Sequence, residues 1–266
     1  MIAAFLFSAV MSAQSAVPSP LAQLASPNWV ERWKAFEQIM KIPGALEDRR
    51  VRSDVLATLD KENQLVRSTL RESNGTVGAS DRYGEGYGEY VAELLGAVGR
   101  FADRTDPATL RILAQSSYNP DSAFAEGLAP YAAGILPTLI EDTNSDVPLI
   151  RMDALNRIGA ILHKFKPAAL PPQDAAQLTQ ALSQHAPDPD GNVRSAALAA
   201  LRSMADVNYD GRVDCADLAI IRASLGKRTG EPGYDRRADV LLRGAVGDDE
   251  LAYVSQYLPP GSRCQP

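Results

Sequence analysis

Apolar side chains return at three- and four-residue steps along residues 21–204, the period of helices lying on a common core. Trp29, Val30, Trp33, Phe36, Ile39 and Met40 predict a first long helix, which Pro43-Gly44 stops. Val51, Val55, Leu56 and Leu59 make the next stripe, and Leu65, Val66 and Leu70 another. Residues 74–87, rich in Gly, Ser and Asp, read as a long loop. Tyr90, Val91, Leu94, Leu95, Val98 and Phe101 resume the stripe. Shorter apolar segments follow at 110–113, 124–128, 135–140, 150–165, 178–182 and 193–204, usually parted by Pro or Gly. Aromatics are 6% of the chain while Ala and Leu abound, which favours packed helices over a strand sandwich. The expected fold class is all-α.

Several of these segments share a motif. Asn192-Val193-Arg194-x-x-Ala197-x-x-Ala200-Leu201 is matched by Leu149-Ile150-Arg151-x-x-Ala154-x-x-Arg157-Ile158. Glu31-Arg32-x-x-Ala35-x-x-Gln38-Ile39 is a looser copy, and Val66-Arg67-x-x-Leu70 is looser still. An apolar residue, an Arg and then a small residue one turn on let a neighbouring helix pack closely while the Arg caps or pairs at the rim. The copies recur at about 25 to 45 residues, in the range of helix-pair repeats. In this pattern the chain resembles HEAT repeats. The resemblance implies an α-solenoid of helix pairs over residues 17–204, whose concave face is left to bind peptides or proteins. An irregular helical bundle is the alternative for this region.

Residues 206–217 carry a different signal. Oxygen side chains stand at loop positions 1, 3, 5, 9 and 12 as Asp206, Asn208, Asp210, Asp214 and Asp217, with Gly211 at the sharp turn of position 6. This is the spacing of a calcium loop, in which hard oxygen ligands converge on one ion and position 7, here Arg212, offers its backbone carbonyl. Position 12 is normally Glu, and Asp217 is one methylene shorter. Leu218, Ile220, Ile221 and Leu225 predict a helix leaving the loop.

A Gly/Pro connector, Gly230-Glu-Pro-Gly-Tyr-Asp-Arg-Arg-Ala-Asp239, then leads into a second, altered loop. Loop, helix end at Leu225-Gly226, connector and second loop together resemble the dockerin family over about residues 206–261, with a free-standing EF-hand as the alternative. The resemblance implies a small two-helix calcium-binding domain over residues 205–266 that docks onto a protein partner of cohesin type. The second loop departs from the pattern. With Asp239 at position 1, Leu241 and Arg243 stand at positions 3 and 5, and Glu250 closes the loop. An Arg stands where a cation wants an anion, so one calcium site is expected and the second loop is expected to be metal-free, with Arg243 reaching Asp248 or Asp249. Positions 10 and 11 are Cys215 and Ala216 in the first loop, and Asp248 and Asp249 in the second. They do not carry the small hydroxyl residues of the clostridial cohesin-binding pattern. The module's close ends imply a Cys215–Cys264 disulfide, with free thiols as the alternative.

Charge and chemistry narrow the function. A net charge of -6 argues against nucleic acid, which requires clustered Lys and Arg. Residues 1–16 read as an export signal, with an apolar run at 2–11 and Ala13-Gln14-Ser15 as a small-x-small cleavage site, although no Lys or Arg precedes the run. A buried N-terminal helix is the alternative. The run is too short to span a bilayer and no other approaches that length. The expected location is secreted or periplasmic, by bacterial export.

Only His163 and His185 exist, and neither forms a metal-spaced or triad-like motif. The sequence has no nucleophile elbow, zincin helix, dinucleotide fingerprint or P-loop. Tyr83, Tyr87 and Tyr90 offer either a sugar- or peptide-binding ledge or, the favoured reading, core packing. The expectation is a non-catalytic, calcium-binding protein-interaction scaffold, its dockerin-like tail anchoring a helical-repeat surface. The alternative is a subunit of a polysaccharide-degrading system with a catalytic or carbohydrate-binding role in the helical region. A third possibility is a tail packed on the last repeat as a cap.

Overall fold

The computed structural model describes residues 19–116, 129–162 and 172–264. The expected export signal, the 124–128 segment and His163 lie outside the described residues. Within them all regular structure is helical, apart from one isolated bridge between Arg228 and Ala245. The fold is all-α, and no described helix is long and apolar enough to cross a membrane. The chain divides into two compact units, 1–54 and 55–266.

The first unit holds α1 (Pro20–Gln23) and α2 (Trp29–Met40), which pack on each other. Asn28 caps α2 by accepting the Val30 N–H at 3.0 Å, and Ala35, Phe36 and Ile39 are its buried stripe. Trp29 and Trp33 stack along the helix with centroids 6.0 Å apart.

Helix α3 (Arg49–Glu72) crosses the unit boundary in sequence. It replaces the two separate stripes expected at 51–59 and 65–70. The polar interlude Glu62-Asn63 is itself buried, at 0% and 2% exposure, so it does not interrupt the helix. Glu62 accepts the hydroxyls of Tyr87 at 2.9 Å and Tyr90 at 3.1 Å, and Asn63 donates to the Ile112 carbonyl at 2.9 Å. The long loop expected at 74–87 contains α4 (Ala79–Tyr83), where Asp81 turns back to accept the Gly78 N–H at 3.0 Å. Beyond it lie α5 (Tyr87–Phe101) and α6 (Pro107–Gln115).

Two helix pairs follow: α7 (Ala132–Asp142) with α8 (Pro148–Ala160), and α9 (Pro172–His185) with α10 (Gly191–Ala205). First helix packs on first and second on second, so the pairs stack in two layers. In the α8–α10 contact, Gly159 lets the two backbones approach closely. A Cβ there would lie 3.3 Å from the Ala200 Cα. Across the stack, Arg67 grips Asp142 with two bonds of 2.6 and 2.8 Å, and Arg151 Nη2 reaches Asp188 at 3.2 Å.

Three of the four copies of the repeated motif share one local geometry; in the fourth, Arg67 lies within α3 and pairs with Asp142. Arg32, Arg151 and Arg194 each donate from Nη1 to the carbonyl six residues earlier, on Ser26, Ser145 and Asp188, at 2.6, 2.9 and 2.5 Å. Those three residues each use their side chain to accept the N–H two positions on, at Asn28, Val147 and Asp190. The small residue one turn after each Arg, Ala35, Ala154 or Ala197, is at most 2% exposed. Each turn before a motif helix is thus pinned by its own first residue and by an Arg from the helix it introduces.

The remaining elements are α11 (Cys215–Ala223) and α12 (Asp248–Ser255), which pack together behind the loops at 206–217 and 239–250. Val207, Val213, Leu218, Ile221, Val240, Leu242, Val246 and Val254 form their small core, each at most 5% exposed.

Candidate metal site

The two tail loops share a backbone frame although their side chains differ. Position 4 is left-handed in both, with φ of 64° at Tyr209 and 58° at Leu242, and position 6 is a left-handed glycine, Gly211 or Gly244. Non-glycine residues resist that conformation, so its recurrence marks a strongly determined turn. The position 6 N–H donates to the position 1 carboxylate, Gly211 to Asp206 at 3.0 Å and Gly244 to Asp239 at 2.7 Å. The position 9 N–H donates to the position 12 carboxylate, Asp214 to Asp217 at 2.8 Å and Gly247 to Glu250 at 2.7 Å. Valines at positions 2 and 8 of each loop face inward, and the carboxylates at positions 1 and 12 are at most 4% exposed.

Within this frame the loops differ in how their buried charge is met. Asp239 has a donor on each of its oxygens. Its Oδ1 accepts the Arg243 N–H at 2.8 Å, and its Oδ2 accepts the Gly244 N–H and the Tyr234 hydroxyl, the latter at 3.0 Å. The fully buried Glu250 takes Arg243 Nη2 on Oε1 at 2.8 Å, while Arg243 Nη1 reaches Asp249 at 3.0 Å. The guanidinium therefore pairs with Asp249, as its position suggested, and also with the position 12 carboxylate. Glu250 holds the Arg243 pKa above its usual value. Leu241 is half-buried and supplies no donor or acceptor.

Asp206, at the same place in the first loop, has Gly211 on Oδ2 and no hydrogen-bond partner on its buried Oδ1. Asn208 Oδ1 accepts the Asp210 N–H at 3.0 Å, and its amide donates to Asp210 Oδ2 at 3.0 Å. Asp210 Oδ1 takes the Arg212 N–H at 2.9 Å, and Arg212 itself is exposed. Asp214 caps α11 by accepting the Ala216 N–H at 2.7 Å. Asp217, fully buried, accepts the Val207 and Asn208 N–H groups on Oδ1 at 2.7 and 3.0 Å. With Asp214 on Oδ2, this carboxylate ties the two ends of the loop together and keeps one lone pair for a further partner. Burial pushes the neighbouring Tyr209 phenol up to about 12.

The oxygens that could hold a cation here are those of Asp206, Asn208, Asp210, Asp214 and Asp217, with the carbonyl of Arg212. Their chemistry fits a hard ion, and the unpartnered, buried Asp206 Oδ1 is a place where positive charge is wanted. Among the described residues no three His, Cys, Asp or Glu side chains stand together as a ready metal cluster. A calcium loop also draws on amide, carbonyl and water oxygens, so this observation does not bear on calcium.

Cys215 and Cys264 are joined as a disulfide, with Cα atoms 5.1 Å apart. Neither the length of Arg243's reach nor the role of Tyr253 was apparent from sequence. The Tyr253 hydroxyl donates to the Leu201 carbonyl at 2.8 Å, docking α12 on α10, and burial pushes its phenol far above the ordinary range. Its signal was present as an aromatic at an apolar position of α12, but its partner lies 52 residues away.

Of the tyrosines that offered a ledge, Tyr87 and Tyr90 are core, at 1% and 0% exposure. His185 is buried and hydrogen-bonds through Nδ1 to Asp188 at 2.9 Å, bracing the turn before α10. No protein-family model matches this chain, and no curated protein or solved structure matches it either.

Proposed function

We propose that the protein is an exported calcium-binding interaction scaffold. HEAT-like helix pairs form its binding surface, and a dockerin-like tail holds one calcium ion at residues 206–217. One observation carries the calcium assignment: a buried carboxylate oxygen, Asp206 Oδ1, has no donor at position 1 of a loop with oxygen side chains at positions 3, 5, 9 and 12. The ion would supply charge neutralisation and a point of convergence, and the chain's own residues set the geometry around it. In the second loop Arg243 supplies the positive charge internally, which supports a single site. The disulfide supports an oxidising destination, and the stacked helix pairs with their common Arg-anchored turns support the repeat assignment. The partner on the repeat face is a protein, and the tail docks onto a protein whose contacts differ from the clostridial cohesin pattern at positions 10 and 11 of both loops.

Calorimetric calcium titration of the full chain tests the assignment. One site is expected, lost in Asp206→Ala. Two equally tight sites, or none, would overturn it. Partner capture by the immobilised protein is expected to fail in chelator, and capture indifferent to chelator would count against a calcium-dependent tail.

A second reading is favoured by Tyr253. Because α12 is fixed to the carbonyl of Leu201, the tail also covers the end of the last helix pair, as a terminal cap of the array.

A further inference from the structure

The disulfide does not merely join the tail's ends. Cys215 stands inside the first loop, between the carboxylates Asp214 and Asp217. It is the first residue of α11, the helix that Asp214 caps, and two residues before Asp217, which ties Val207, Asn208 and Asp214 together. Its partner lies 49 residues on, so the covalent ring encloses the connector, the second loop and α12. After α12 ends at Ser255, Tyr257, Leu258 and Cys264 are half-buried and residues 259–263 are exposed. The last stretch of described chain is therefore anchored chiefly through sulfur. Cys215 is itself exposed, so a dissolved thiol has access to the bond.

We infer that this disulfide and the cation site at 206–217 are thermodynamically linked. The oxidised tail binds calcium more tightly than the reduced tail, and bound calcium protects the disulfide from reduction. The inference rests on the calcium reading above. Its physical basis is preorganisation. The disulfide holds the segment carrying positions 9 to 12 against the end of the chain, so the oxidised tail spends more of its time with its oxygens in the binding frame. Linkage then requires the reciprocal effect, because a ligand that prefers the oxidised form must stabilise that form to the same degree. Reduction is a two-electron exchange. A small dithiol attacks one sulfur and the Cys215–Cys264 bond breaks through a mixed disulfide. Both cysteines end as thiols carrying the reductant's two protons, and the reductant leaves as its cyclic disulfide.

The test uses the full chain in two measurements. Calcium is titrated calorimetrically into the oxidised protein and into protein held in excess dithiol, with Cys215→Ser/Cys264→Ser as a reductant-insensitive reference. Apparent affinity is expected to fall at least about tenfold on reduction, and the double variant is expected to match the reduced form. The second measurement brings the protein to equilibrium with a dithiol and its cyclic disulfide, in calcium or in chelator, and reads the fraction of reduced cysteines. The dithiol-to-disulfide ratio at half-reduction is expected to be about ten times higher in calcium. Equal affinities, or equal half-reduction ratios, would overturn the linkage while leaving the calcium site standing. Failure of the oxidised protein to bind calcium would remove the calcium reading itself, and the linkage with it.

Discussion

A carboxylate oxygen sealed from water with no donor is among the costlier arrangements a fold can keep, and Asp206 keeps one. Its effect on stability should change sign with the ion. In chelator, Asp206→Asn removes an uncompensated charge and is expected to leave the unfolding midpoint unchanged or raised. In calcium the same variant keeps an amide oxygen but loses a ligand's negative charge, and is expected to cost about 1–3 kcal/mol. Paired urea melts with and without calcium read the crossing, and a variant equally destabilised in both would argue against it. Arg243 is the complementary case. Arg243→Ala strands the buried Glu250 carboxylate and should cost about 1–3 kcal/mol whether or not calcium is present. Asp188 belongs to the repeat region. Burial alone would push its carboxyl up, but His185, the Asp190 N–H and Arg151 together hold it below the usual carboxylate range. Its folded pKa therefore lies below its unfolded value of about 3.9, and its contribution is fully present above that value and lost as pH falls through the folded pKa. Asp188→Asn should flatten the acid limb of a stability–pH profile, and an unchanged limb would show that other carboxylates dominate it. At this scale the first loop was legible because ligand chemistry is written in residue type and spacing. The pairing of Asp239 was not, since it depends on a Tyr234 hydroxyl and on the Arg243 and Gly244 N–H groups, whose directions the sequence leaves open.

Helices announced themselves by period, and each error has a physical cause. A buried polar residue is indistinguishable in sequence from an exposed one, so Glu62 and Asn63 made one helix look like two. The helix at Ala79–Tyr83 was hidden in Gly-, Ser- and Asp-rich chain because its start is held by one local bond from Asp81. The arginine motif was visible as a repeat. Its geometry, one Arg bonded to the carbonyl of the turn that introduces its helix, emerges only when the three copies are compared in space. The α8–α10 contact depends on a missing side chain. Gly159→Val places a Cβ about 3.3 Å from the Ala200 backbone, which cannot move aside as a flexible side chain could. The substitution should cost about 1–3 kcal/mol by overpacking, read as a lowered thermal midpoint. A midpoint equal to that of the parent would mean the α8–α10 seam is looser than the structure has it.

At the scale of the whole molecule, the tail continues the last helix pair. Asp206 donates its N–H to the Arg202 carbonyl at the end of α10 and begins the first loop in the same residue, and Met204, Ala205 and Val207 are buried. Limited proteolysis of the native chain should therefore spare residues 204–207, where a free linker would be cut early. Tyr253→Phe is expected to weaken that protection, at a cost of about 0.5–1.5 kcal/mol, and early cleavage in the parent chain would contradict a docked tail. The division of labour between the loops has one more consequence. The helix that grips the array, α12, follows the loop whose positive charge is an arginine, and a guanidinium cannot diffuse away. A calcium ion can. On the proposed calcium reading, scarcity of the ion would thus reach α11 and its loop while α12 kept its hold. The environment would have a say in the outer half of the tail, and attachment to the array would stay in the chain's own keeping.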